Sequence, residues 1–173
     1  QGEELGLTEA DVAFEDLQDP YGITFWPNFK GRDGCRTPHP WDESLEHAGF
    51  STNKPWLPVA DAHQKQAVSQ QEANQTSCLN AYREFLNWRK HIPALQVGDS
   101  TFIETAEQVL AFWRSYQEET VLCCFNLCDH SASMPLDDTD LTELAQISHH
   151  SGQVVDQQLN LPAFGCFFAK KHH

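Results

Sequence analysis

Basic residues are scarce: 11 Lys plus Arg stand against 25 Asp plus Glu, for a formal net charge of −14. A chain so acidic repels nucleic acid phosphates and anionic membrane surfaces, which leaves neutral or cationic partners. Long apolar runs are missing as well. None approaches the roughly 18 residues that a spanning helix needs, and the first residues show neither the basic start nor the apolar stretch of a signal peptide. The expectation is a soluble, cytoplasmic protein with no nucleic acid and no membrane among its partners. Paired Cys-x-x-Cys spacing is absent from the six cysteines, at 35, 78, 123, 124, 128 and 166. Three of them lie inside apolar runs, so they read as reduced, mostly buried thiols. Also missing are a Gly-x-Ser-x-Gly elbow and a phosphate-binding glycine loop. His149-His150 falls in a turn and the Cys123, Cys124, Cys128 group alternates across a strand, so neither offers four convergent ligands. No metal or cofactor is expected.

Regular periodicity is scarce in the first 70 residues, which hold six of the nine prolines, six of the nine glycines and three of the five tryptophans. So long an irregular stretch argues for a functional excursion on a larger scaffold. Within it, Glu9 to Leu17 reads as a short helix that Asp19-Pro20 ends. From Thr76 to His91 the pattern changes to an amphipathic helix. A Ser or Thr caps its start, Leu79, Tyr82, Phe85 and Leu86 recur at helical spacing, and Pro93 stops it. Strands follow at 100–105, 109–116, 120–128, 141–147, 154–161 and 165–171, rich in β-branched and aromatic residues. In the third, Val121, Cys123, Phe125 and Leu127 face one way. Short strands about ten residues apart suggest an antiparallel sandwich.

The most informative stretch is Gly31-Arg-Asp-Gly-Cys-Arg-Thr-Pro-His-Pro-Trp-Asp42, followed by Ala48-Gly-Phe-Ser51 and Lys54-Pro-Trp-Leu-Pro-Val59. Pro38 and Pro40 remove backbone donors and push Thr37 and His39 towards extended conformations, so Arg32, Asp33 and Arg36 sit on a stiff irregular strap. Ordered loops with fixed charges usually carry function. With the opening Gln1-Gly-Glu-Glu-Leu-Gly6, the run Ser77-Cys-Leu-Asn-Ala-Tyr-Arg-Glu-Phe-Leu-Asn-Trp-Arg-Lys-His-Ile-Pro-Ala-Leu95 and Val121-Leu-Cys-Cys-Phe-Asn-Leu127, this strap resembles the α-glucosidases of the α-amylase family of glycoside hydrolases. His39 departs from the Met common there.

The resemblance implies an α+β fragment: the last loop and helix of a (β/α)8 barrel, residues 1–92, followed by an antiparallel β-sandwich C-terminal domain, residues 93–173. It implies that the partners are an oligosaccharide substrate and the remainder of the barrel. A retaining glycosidase needs two carboxyls roughly 5 Å apart, and the family draws them from strands four, five and seven. None of those strands is in this chain, so no catalytic residue is expected, and Glu3-Glu4 are expected to hold the loop through backbone or arginine. Substrate-binding candidates are Arg32 and Arg36, because loops at the C-terminal face of a barrel build its active site and a guanidinium donates to sugar hydroxyls. The competing role for both arginines is to staple the loop through Asp33 and Asp42. Phe25 and Trp26, ahead of Trp41 and Trp56, offer faces to a pyranose ring or anchor the loop. The rival readings are a free-standing carbohydrate-binding or scaffold sandwich, and a sucrose isomerase or glucosyltransferase of the same family.

Overall fold

The computed structural model describes residues 1–105, 108–136, 140–144 and 151–172. They form two compact units, Gln1–Arg83 and Glu84–His173. The first consists of short pieces. A 3₁₀ turn at Glu3–Leu5 and another at Phe14–Asp16 precede α1 (Pro20–Phe25), and 3₁₀ turns at Asp33–Cys35 and Glu46–Gly49 lead to α2 (Asp61–Gln64) and α3 (Val68–Glu72). Helix α4 (Cys78–Arg89) contains the boundary between the units.

The helix expected over 9–17 is reduced to the 3₁₀ turn. Its Ala10 N–H donates to the Gly34 carbonyl at 3.0 Å, and Ala13 and Leu17 are extended, so no helical ladder can run through them. Asp19-Pro20 begins a helix where the sequence suggested an end. Asp19 is the N-cap, its carboxylate accepting from Tyr21 N–H at 2.9 Å, and Pro20 fills the first turn, where its missing donor costs nothing.

A small core of Val12, Leu17 and Leu57, backed by Trp26, holds these turns together. Buried His63 ties distant segments: its Nε2–H donates to the Thr8 carbonyl at 2.7 Å, and its Nδ1 accepts from the Thr37 hydroxyl at 3.1 Å. Gln71 reaches further. Its amide donates to the Leu5 carbonyl at 2.8 Å and accepts from Leu79 N–H at 3.0 Å.

Helix α4 forms where the periodicity placed it, with Ser77 Oγ accepting from Asn80 N–H at 3.2 Å at its start. Its buried stripe differs by one position: Phe85 and Trp88 pack into the second core while Leu86 is exposed. Helix α4 ends at Arg89, short of Pro93, which instead opens α5 (Pro93–Val97), whose Ala94 and Leu95 are buried.

The second unit is antiparallel β throughout its named strands. These are β1 (Asp99–Ile103), β2 (Val109–Tyr116), β3 (Glu119–Asn126), β4 (Ala132–Pro135), β5 (Leu141–Glu143), β6 (Gln153–Val155), β7 (Gln158–Leu161) and β8 (Cys166–Lys171). Five strands in the order β1-β2-β3-β8-β5 make one sheet and β4-β7-β6 a second. The stretch 154–161 is a hairpin and not one strand. Asp156 and Gln157 both take positive φ, as a two-residue hairpin turn of the primed kind requires. Strand β4 was not anticipated, and residues 145–147 and His149-His150 lie outside the described residues.

Strand β3 is buried on both faces. Leu122 and Cys124 enter one core with Leu159 and Leu161 of β7, while Val121, Cys123 and Phe168 enter another with Ile92, Ala94 and Leu95. Val121, Cys123 and Phe125 face one way as expected, and the opposite face is buried too: four successive residues, 121–124, are 2% exposed or less. Leu127 is outside the strand and exposed, because Asn126 turns the chain, its side chain holding Cys128 N–H and the His130 and Pro162 carbonyls.

None of the six cysteines is in a disulfide. Only Cys123 and Cys124 are buried, whereas Cys35 and Cys78 are exposed, which corrects the expectation of mostly buried thiols. Burial pushes the thiols of Cys123 and Cys124 up to about 12. A disulfide-exchange reagent at pH 8 should therefore modify Cys35 and Cys78 in the native chain and reach Cys123 and Cys124 only after denaturant is added. Peptide mapping of the labelled residues checks this.

Candidate functional site

The candidate site lies wholly in the first unit, where the start of α1 meets the arginine strap. Pro and Gly keep residues 27–40 from a helix or sheet, so their positions depend on side chains that bind backbone. Gly31 takes φ +74, and a Cβ there would lie 2.8 Å from Asp19 Cβ, so only glycine lets the strap approach α1 this closely. The result is a cleft of about 620 Å³. Gln18, Asp19 and Asp33 line it with Arg32 and Arg36, and Tyr21, Phe29 and Trp56 add aromatic surface.

Its charges are arranged differently from the stapled loop the sequence allowed. Asp33 is fully buried, and its Oδ2 accepts from two backbone donors, Gln18 N–H at 2.6 Å and Asp19 N–H at 2.7 Å. Asp42 is occupied by its own turn, accepting from Ser44 N–H at 2.9 Å and Ser44 Oγ–H at 2.7 Å. Neither carboxylate pairs with an arginine. Arg36 comes within 3.9 Å of Asp19 with half of its side chain exposed, and among the described residues no carboxylate pairs with the Arg32 guanidinium. Two cationic forks therefore stand on an open cleft, with most of their donors unpaired among the described residues.

Of the four candidates, Arg32 and Arg36 are brought together on the cleft, while Phe25 and Trp26 do not line it. Phe25 is exposed and stacks on Tyr21 at 6.4 Å, and Trp26 is half-buried against the small core, tilted on Phe14 at 5.5 Å. Lys30, which also pairs with Asp11, lies 5.4 Å above the Trp26 ring. The aromatic surface beside the arginines comes from Tyr21, Phe29 and Trp56. Reading Asp19-Pro20 as a helix cap, and not as a terminator, would have brought Tyr21 and Asp19 to notice.

His39 packs edge-on against Trp41 at 4.7 Å and lies 3.7 Å from Glu4, away from the cleft. Glu3 accepts from the Tyr82 hydroxyl at 2.9 Å. Glu3 and Glu4 thus hold the loop through tyrosine and histidine, not through backbone or arginine. Among the described residues no three His, Cys, Asp or Glu are grouped to hold a metal ion, and no helix is long and apolar enough to cross a membrane.

Residues 1–98 match the family described as alpha amylase, catalytic domain. The chain belongs to the α-amylase family. Residues 100–168 match the maltogenic amylase C-terminal domain, so the strap and its helices are barrel material and the β unit is the family's C-terminal domain. A probable alpha-glucosidase of Rhizobium meliloti (strain 1021) is 48% identical over 172 residues, which cover 98% of this chain and 30% of that protein. A glucan 1,6-alpha-glucosidase of Streptococcus dysgalactiae subsp. equisimilis is 29% identical, over 86% of this chain and 33% of its own length. Among solved structures, an alpha-glucosyl transfer enzyme, XgtA, superposes with a TM-score of 0.93 at 48% identity, over 99% of this chain and 32% of that one. An isomaltulose synthase from Erwinia rhapontici superposes at 0.82 with 26% identity, over 100% of this chain and 35% of its own. The chain spans about a third of the length of these relatives.

Hydrogen bonds from Arg32 N–H and Tyr21 N–H hold the Asp19 carboxyl below its ordinary 3.8. A depressed carboxyl contributes stability that is complete above the unfolded value and is lost as pH falls through the lower folded one. Thermal melts of the chain should thus lose stability below about pH 4, and Asp19→Asn should shrink that acid-dependent loss.

Proposed function

We propose that this chain is the C-terminal part of a retaining α-glucosidase that hydrolyses terminal α-glucosidic bonds of small oligosaccharides, its strap forming one wall of the glucose pocket. The observation that carries this reading is the pair of guanidinium groups, Arg32 and Arg36, on an open, aromatic-edged cleft. Likeness to a probable alpha-glucosidase along nearly the whole chain supports it. A neutral sugar needs donors for its hydroxyls and a flat apolar surface for its C–H face. Arg32 supplies donors in a planar fork, Arg36 adds a second fork at the entrance, and Tyr21, Phe29 and Trp56 supply the surface. Phe25 extends that surface through its stack on Tyr21, whereas Trp26 anchors the loop in the small core. The nucleophile and the acid of the double displacement belong to barrel segments outside this chain, so the chain by itself is inert.

Glucosyl transfer is the second reading, favoured by the superposition on an alpha-glucosyl transfer enzyme and on an isomaltulose synthase. It differs only in whether water or a sugar accepts the glucosyl group. A free-standing sugar-binding sandwich is disfavoured, because the family match extends through residues 1–98 as well.

The test uses the full-length enzyme containing this chain, assayed on p-nitrophenyl α-glucoside and on sucrose, with the product anomer read by NMR. Retention with water as acceptor is expected. Arg32→Ala should raise KM by about tenfold to a hundredfold, the worth of one or two charged hydrogen bonds. Conversion of sucrose to an isomer would install the second reading. Turnover by the 173-residue chain alone would overturn both.

A further inference from the structure

We infer that Asp19 and Asp33 are positioning residues for Arg32: two carboxylates in series that transmit the register of the α1 start to the strap and so set where the guanidinium enters the cleft. The inference rests on the reading of Arg32 as a glucose-pocket residue. Three links form a closed circuit. Asp19 N–H donates to Asp33 Oδ2 at 2.7 Å, Arg32 N–H donates to Asp19 Oδ2 at 2.9 Å, and Arg32 and Asp33 are neighbours in the chain. Arg32 is therefore held on both sides of its Cα with no slack. These bonds fix the Arg32 backbone, and with it the point from which the guanidinium enters the cleft. A binding group placed in advance by its support spares ligand binding the cost of ordering it.

Burial separates this circuit from an ordinary surface turn. Asp33 is fully buried and accepts both backbone donors at one oxygen, Oδ2, so water does not compete for these two bonds. The two carboxylates also bind in different ways, which makes the circuit testable. Both donors to Asp33 converge on Oδ2, so an asparagine can accept both through its one carbonyl oxygen. Asp19 uses both oxygens, Oδ1 for Tyr21 N–H and Oδ2 for Arg32 N–H, so an asparagine must turn its NH₂ against one of them. Gly31 offers a third handle. An added Cβ would lie 2.9 Å from Asp19 Cγ and 3.0 Å from Oδ2, displacing the carboxylate with no change of charge.

The experiment is a double-mutant cycle in the full-length enzyme, reading kcat/KM on p-nitrophenyl α-glucoside, Ki for glucose and Tm. Asp19→Asn should lower kcat/KM by about tenfold to a hundredfold, the effect of a small misplacement of a binding group. Gly31→Ala should do the same, and Asp33→Asn should recover most of what Asp33→Ala loses. In an Arg32→Ala background, Asp19→Asn and Gly31→Ala should change kcat/KM by no more than about twofold while their cost in Tm persists. If the losses multiply in that background, the positioning role is overturned and the pocket reading stands. If Arg32→Ala leaves Ki for glucose unchanged, the pocket reading falls and this inference with it. Should Asp19→Asn fail to fold, Gly31→Ala carries the same cycle.

Discussion

An irregular backbone must find partners for its own N–H and C=O groups, and in residues 1–83 side chains supply many of those that backbone bonds such as Ala10 N–H to the Gly34 carbonyl leave open. Sheets are absent from this unit's named elements, and the α-helices that lie wholly within it have six residues or fewer. Asp33 takes the amides of Gln18 and Asp19, Asp19 those of Tyr21 and Arg32, His63 the Thr8 carbonyl, and Gln71 the Leu5 carbonyl and the Leu79 amide. Buried polar backbone without such partners would cost more than the small core of Val12, Leu17 and Leu57 returns. This bonding explains how so loop-like a segment holds two cations at a defined cleft.

The C-terminal domain solves the same problem by ordinary means. Strand ladders satisfy its backbone, which frees its side chains to be apolar, and β3 is apolar on both sides because the second sheet covers one face and α5 the other. Cys123 and Cys124 illustrate the consequence: adjacent in sequence, they enter different cores and lose thiolate character chiefly to burial. Chemistry is thus kept out of the sheets and left to the strap.

The acidic balance is consistent with that division. The strap region concentrates Arg32 and Arg36 in a chain with 11 basic residues in all. Against a net charge of −14, the two guanidinium groups form a local exception suited to a neutral, hydroxyl-rich ligand more than to an anion steered from a distance.

Composition and motif alone determined the broad outline. The Gly31–Asp42 run identified the family, the spacing of Leu79, Tyr82 and Phe85 located α4, and runs of β-branched and aromatic residues located β1, β2, β3 and β8, because these are signals carried by neighbouring residues. Tertiary structure decided the rest. Whether Asp19-Pro20 ends a helix or starts one depends on Asp33, 14 residues away, taking up the Asp19 amide. Whether β3 has one buried face or two depends on which elements cover it, and whether Asp33 binds an arginine or a backbone depends on how closely Gly31 lets the strap approach α1. These are contacts between residues far apart in the chain, and local periodicity carries no record of them.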